Sequence, residues 1–268
     1  MRLISICPSN TEILAYLGLT DQLVGVDNYS DWPQKVKTLP QLGPDLKIDM
    51  DQVEKLQPDL VIASLSVPGM ERNIEELKKR RIPFIVTNPQ SLTDIGHSLL
   101  EVGKQCGASA QAEKMASRYF AQLKLLQQAT SKLTSRPSLY WEWWPKPVFT
   151  PGKVNWLTEI SEIAGARNVF SDQETASYQT NWEEIRIRKP DYIFLAWVGV
   201  QTEKIQPAVV NKRPGWAELP AIQNGRVAVM EEYLYCRPSP RVLAGLDKLV
   251  KMIHPAVGKS IELDPVFA

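Results

Sequence analysis

Two stretches of the chain carry the same order of polar and apolar positions, 132 residues apart. The first runs Met50-Asp51-Gln52-Val53-Glu54-Lys55-Leu56-Gln57-Pro58-Asp59-Leu60-Val61-Ile62-Ala63. The second runs Trp182-Glu183-Glu184-Ile185-Arg186-Ile187-Arg188-Lys189-Pro190-Asp191-Tyr192-Ile193-Phe194-Leu195. Each reads as a short helix opened by an acid, then a proline that ends it, then an apolar strand. The residue before a proline is pushed out of the α region, so the helix stops there. The strand that follows lacks polar alternation, as expected of a strand buried on both faces of a parallel sheet. One unit used twice implies two similar α/β lobes, and a pair of lobes implies a ligand cleft.

The rest of the pattern supports this. Strands are predicted at Arg2–Cys7, Leu23–Val26, Asp59–Ala63 and Phe84–Thr87, alternating with helices at Asn10–Leu17, Asp51–Gln57 and Glu71–Arg81. Strand–helix alternation is the mark of a parallel sheet covered by helices. The second half repeats it, with strands at Leu139–Glu142, Tyr192–Ala196 and Val227–Met230. Its helices are Trp156–Ala164, Trp182–Lys189 and Arg241–Ile253. Between the halves, Thr93 to Leu133 carries no β signal. Ser109 is a plausible N-cap, and Ala112, Met115, Ala116, Tyr119, Leu123 and Leu126 follow at helical spacing. A helix from Ser109 to Thr130 spans roughly 33 Å at ~1.5 Å per residue and would serve as one stiff connector. The expected organisation is therefore an α/β chain of two Rossmann-like lobes with parallel sheets joined by a single long α-helix. The N-terminal lobe covers 1–92, the connecting segment 93–134 and the C-terminal lobe 135–268.

Composition narrows the function classes. The chain has 268 residues, 44% of them hydrophobic, and a formal net charge of +1. That charge gives no reason to expect nucleic acid or an anionic membrane as partner. Three scattered cysteines (Cys7, Cys106, Cys236) resemble neither a disulfide framework nor a zinc site, and they suit a reduced compartment. No apolar run approaches the ~18 residues of a membrane helix. Arg2–Cys7 reads as a first strand rather than a signal peptide, which favours a cytoplasmic location. The alternative is an extracytoplasmic protein whose signal has been removed. A monomer is expected.

Ligands of open α/β sheets bind at the carboxyl ends of strands. Ser9 or Asn10 follows the first strand and is placed to cap the next helix or to meet a polar ligand group. Tyr29 and Trp32 lie in the Pro-stopped loop after the second strand. Trp141, Trp143 and Trp144 end the first strand of the second half, where alternation sends Trp141 and Trp143 to one face and Glu142 to the other. Trp197, Tyr233 and Tyr235 also fall at strand ends or in the loops after them. Indoles offer large, flat, rigid contact surfaces, so this set suits a large flat ligand. Catalytic patterns are absent. His97 and His254 have no partner at triad or metal-ligand spacing, and Pro151-Gly152-Lys153 lacks the glycines of a phosphate loop. No catalytic residue, metal site or cofactor is expected.

In order along the chain stand Pro8-Ser9-Asn10-Thr11-Glu12-Ile13-Leu14, Val24-Gly25-Val26 leading to Tyr29-Ser30-Asp31-Trp32-Pro33, and Pro58-Asp59-Leu60-Val61-Ile62-Ala63. Then come Glu142-Trp143 and Pro147-Val148-Phe149-Thr150-Pro151-Gly152-Lys153. Glu162-Ile163-Ala164-Gly165-Ala166, Asn168-Val169-Phe170 and Arg237-Pro238-Ser239-Pro240-Arg241 complete the set. With these the chain resembles the cobalamin-binding proteins of the helical-backbone substrate-binding family, the receptors of ABC importers for cobalamin, haem and siderophores. Where some corrinoid receptors carry Trp, this chain has Asp45-Leu46 and Ser64-Leu65. The resemblance implies a soluble, non-catalytic receptor holding a corrinoid between two lobes. By position it implies ligand contacts at Ser9, Tyr29, Trp143 and near Tyr178. It further implies that Asp51 and Glu183, one on each lobe, dock on arginines of an importer permease. A haem or ferric-siderophore binder is the near alternative, with Arg213 and Arg237 as candidate anion partners, and an enzyme of corrinoid metabolism on the same fold is the more distant one.

Overall fold

The computed structural model describes residues 1–268, which separate into two compact units. Unit 1 comprises Met1–Pro89, Thr93–Ala121 and Pro238–Pro240; unit 2 comprises Gln90–Leu92, Gln122–Arg237 and Arg241–Ala268.

In unit 1 the strands are β1 (Leu3–Ser5), β2 (Leu23–Val26), β3 (Leu60–Ser64) and β4 (Phe84–Thr87). The helices are α1 (Pro8–Tyr16), α2 (Met50–Lys55), α3 (Glu71–Lys79) and α4 (Leu92–Gln105). The strands form one parallel sheet in the order β2-β1-β3-β4. Ile4, Ile6, Val61 and Ala63 face a core completed by Val53 of α2 and Ile74 and Leu77 of α3. Leu3 and Ile62 point the other way and are equally buried. Covering on both faces explains the missing polar alternation. The long helix α5 (Ser109–Thr130) follows over the predicted span, and the boundary between the units falls inside it, between Ala121 and Gln122.

Unit 2 holds β5 (Ser138–Glu142), β6 (Trp144–Pro145), β7 (Val148–Pro151), β8 (Arg167–Asn168), β9 (Ser177–Thr180), β10 (Tyr192–Leu195) and β11 (Val227–Val229). Its principal helices are α6 (Trp156–Ile163), α7 (Trp182–Arg188), α8 (Pro220–Gln223), α9 (Glu232–Tyr235) and α10 (Val242–Ile253). A parallel sheet runs β11-β10-β5-β8, and a small antiparallel sheet runs β6-β7-β9. The second sheet has no counterpart in the predicted pattern. No helix is long and apolar enough to cross a membrane.

The repeated stretch has a clear physical role. In both copies the residue before the proline takes a left-handed backbone, with φ of 45° at Gln57 and 46° at Lys189. This turns the chain off the helix and into the strand. The aspartate after the proline then ties that strand to the first strand of its own unit. Asp59 accepts a hydrogen bond from the Arg2 backbone N–H at 2.6 Å. Asp191 accepts from the Ser138 backbone N–H at 2.8 Å and from the Ser138 hydroxyl at 2.7 Å. The same device thus aligns β3 with β1 and β10 with β5.

Two helix starts in unit 2, those of α6 and α7, are capped by Asn155 and Asn181. Asn155 accepts from the Leu157 N–H at 2.8 Å and donates to the Ala176 carbonyl at 3.3 Å, so it ties α6 to the segment before β9. Replacing Asn155 by Ala is expected to cost about 1–2 kcal/mol, read as a lower melting temperature. An unchanged melting curve would show that the cap contributes nothing.

Candidate ligand cavity

The site in unit 2 starts at the carboxyl end of β5. Glu142, its last residue, is fully buried, and an isolated buried carboxylate is costly. Four hydrogen bonds satisfy this one. Arg213 donates to Oε2 at 2.6 Å and to Oε1 at 2.7 Å, a bidentate pair. Tyr140 donates its hydroxyl to Oε2 at 2.8 Å, and Trp197 its indole N–H to Oε1 at 3.1 Å. Burial, then the adjacent Glu142 charge, pushes the Tyr140 phenol well above its usual range, so it stays a hydrogen-bond donor. The Arg213 guanidinium also lies over the rings of Trp216 at 4.4 Å and Trp182 at 5.1 Å. One buried ion pair thereby fixes three indoles: Trp197 by a hydrogen bond, Trp182 and Trp216 by stacking.

Above this network opens a cavity of about 470 Å³, lined by Trp144, Pro145, Lys146, Trp182, Trp197, Val209, Lys212 and Arg213. Its size is within the usual range for small-molecule sites, roughly 300–1,000 Å³. The walls come from β6, the start of α7, the second residue after β10, and the turn Pro207–Lys212. The cavity sits at strand carboxyl ends, where ligands of parallel sheets bind. Trp144 is held by its indole N–H donating to the Lys146 carbonyl at 3.0 Å. The Lys146 ammonium lies 5.5 Å from the centre of the Trp182 ring.

Of the residues expected at the site, Trp197 lines this cavity. Trp141 and Tyr235 belong to the core instead. Both are fully buried, their rings 5.3 Å apart. Trp141 donates to Ser161 of α6 at 2.9 Å, and Tyr235 donates to the Gly245 carbonyl of α10 at 2.8 Å. Alternation along β5 correctly separates Trp141 from Glu142. The face Trp141 points to is occupied by Ser161 of α6 and Tyr235 of α9, which closes it to ligand. Trp143 is half-buried beside Trp156, ring centres 6.1 Å apart. Tyr178 packs on Phe170 at 5.6 Å, outside the cavity lining, and its hydroxyl donates to Glu184 at 3.4 Å.

In unit 1, Tyr29 is exposed, whereas Trp32 is half-buried with its ring 5.3 Å from that of Tyr16. Ser9 is buried, its hydroxyl 3.2 Å from the Cys7 sulfur. The expected cap at Ser9 or Asn10 is not formed: α1 starts at Pro8, with Cys7 in the cap position. Asn10 instead donates to the Ala63 carbonyl at 2.9 Å and accepts from Thr87 at 2.7 Å, which ties together the ends of β3 and β4. The two arginines considered for anion binding are both engaged. Arg213 holds Glu142, and Arg237 pairs with Glu232 at 2.9 Å.

Asp51 and Glu183 are exposed on the first turns of α2 and α7. Asp51 meets Arg80 at 2.6 Å, but the same guanidinium also serves Glu54 and Glu76. Glu183 is gripped by Arg186 through two bonds of 2.6 and 2.8 Å. That hydrogen-bonded pairing holds the Glu183 carboxyl below its usual range.

Residues 3–234 match the family of periplasmic binding proteins. An uncharacterised ABC transporter substrate-binding lipoprotein of Bacillus subtilis is 31% identical over 95% of this chain and 80% of its own length. The chain belongs to this family. At that level it is a substrate-binding protein of ABC importers, a family of binding proteins rather than enzymes. A vitamin B12-binding protein of Vibrio parahaemolyticus is 27% identical, over 90% of this chain and 85% of the relative. A periplasmic haem-binding protein of a Roseiflexus species shares the fold with a TM-score of 0.83 at 21% identity, over 96% of this chain and 98% of that one.

Trp144 stood inside the expected Trp cluster, but neighbouring prolines obscured the short strand that orients it; of the three indoles that line the cavity, Trp182 was absent from the expected set. Trp182 opens the second repeat where the first has the buried Met50. That mismatch between otherwise parallel stretches was the available signal.

Proposed function

We propose that this chain is the corrinoid receptor of an ABC importer, with the Trp144–Trp182–Trp197 cavity as a contact surface for the ligand. The observation that carries the reading is that cavity: three indoles of fixed orientation around an apolar space. The vitamin B12-binding relative supports it. A siderophore calls for free guanidinium groups, and Arg213 and Arg237 are already paired. Haem iron is usually held by His, Tyr, Met or Cys, and none of these lines the cavity. Purified protein mixed with cyanocobalamin is expected to retain the corrinoid absorbance through gel filtration. Retention of haem with loss of the corrinoid would reverse the assignment. The exposed Tyr29 ring of unit 1 carries the same expectation: Tyr29→Ala weakens corrinoid binding in a calorimetric titration, and an unchanged affinity removes it from the site.

Asp51 and Glu183 are proposed to dock on a permease. Arg80 is shared among Asp51, Glu54 and Glu76, and Lys79 pairs with Glu76, so two cations serve three carboxylates there. Glu183 is exposed, and its hydrogen bonds with Arg186 hold its carboxyl below the usual range, which favours the charged form. The double change Asp51→Ala with Glu183→Ala is expected to leave corrinoid affinity unchanged. In cells carrying an exported form of the protein and its cognate importer, it should abolish uptake. Persistent uptake would make both acids ordinary helix-start residues, which favour the dipole.

A further inference from the structure

The charges around the cavity do not cancel. Of its three lining cations, Arg213 is neutralised by the buried Glu142. Lys146 and Lys212 are both exposed, and neither makes an ion pair: Lys146 has only the Trp182 ring beside it. No carboxylate residue lines the cavity. An aromatic space therefore carries two uncompensated ammonium groups on its wall. This is complementary to a ligand that joins flat, apolar surface to an anionic group.

Corrinoids differ in whether they carry such a group. A complete cobalamin has a nucleotide loop whose phosphodiester bears one negative charge, whereas cobinamide ends before that phosphodiester. We propose that Lys146 and Lys212 form a subsite for the loop phosphodiester, so that the chain selects complete corrinoids over cobinamide. The inference rests on the corrinoid reading above and adds to it the part of the ligand that is recognised. Lysine suits the task as a compact, mobile point charge that reaches a phosphate without needing a fixed fork geometry. Ammonium–phosphate hydrogen bonds are charge-assisted, and at an open cavity mouth they are weakened by salt.

The test is calorimetric titration of the full chain with cyanocobalamin and with dicyanocobinamide. It is run on wild type and on the double variant Lys146→Gln with Lys212→Gln, whose melting temperature serves as a check of folding. Wild type should bind cyanocobalamin about tenfold more tightly than the cobinamide, the size expected of one net charged hydrogen bond. The double variant should lose most of that preference through weaker cobalamin binding, and added salt should narrow the wild-type preference in the same direction. Equal wild-type affinities, or a variant that weakens both ligands alike, would overturn the phosphodiester subsite and leave the corrinoid assignment standing. Failure of wild type to bind either corrinoid would overturn the assignment itself, and the subsite with it.

Discussion

Replacing Arg213 by Ala should lower the stability of unit 2 by about 3–5 kcal/mol, because it leaves the Glu142 carboxylate buried without its counter-charge. The Glu142 side chain has no exposed surface and that of Arg213 only 2%. After the change, the Tyr140 hydroxyl and the Trp197 indole would still donate to Glu142, but neither supplies a positive charge. At roughly 2–4 °C per kcal/mol for a domain of this size, the melting temperature should fall by about 6–20 °C. A second variant separates the missing charge from lost packing. Glu142→Leu combined with Arg213→Met removes both charges and keeps apolar volume, and such replacements are often close to neutral. The double variant should therefore melt well above Arg213→Ala. If Arg213→Ala alone melts within a degree of wild type, the pair does not hold the cavity floor.

The second large effect concerns affinity. Trp144→Ala and Trp182→Ala are each expected to weaken corrinoid binding by ~2 kcal/mol or more, roughly thirtyfold, as truncation of aromatic anchors that a partner buries on binding commonly does. Trp141→Ala provides the contrast. Its ring packs on Phe194 at 4.8 Å and Tyr235 at 5.3 Å inside the core. That change should cost about 3–5 kcal/mol of stability. Corrinoid affinity per folded molecule should stay near that of wild type. Calorimetry and thermal melting on the three variants separate the two roles. A Trp141→Ala protein that is stable but binds poorly would place that indole at the ligand after all.

These contrasts show where the sequence was legible. The strand–helix alternation within each half and the span of α5 follow from local signals: proline stops, apolar runs without alternation, and helical spacing from Ser109 onward. The Pro-Asp step of the repeat was visible, and its physical reason is the backbone clasp that Asp59 and Asp191 make. The antiparallel sheet β6-β7-β9 was not visible. Its strands are two to four residues long and include Pro145 and Pro151, which local pattern reads as loop. The face of Trp141 was legible from alternation, but the helices that cover that face are placed by tertiary packing. The same limit applies to the site. Glu142 and Arg213 lie 71 residues apart in sequence, so nothing local announces that Arg213 is already paired. With that pairing known, the candidate anion ligands shift from the arginines to Lys146 and Lys212.

The central claim is that a corrinoid is the ligand of this family member. Calorimetric titration of the purified, ligand-free chain with cyanocobalamin tests it most directly, with haem titrated in parallel. The account predicts saturable one-to-one binding of cyanocobalamin that is weakened in Trp182→Ala, and weaker or no binding of haem. Saturable binding of haem with no heat from cyanocobalamin would contradict it.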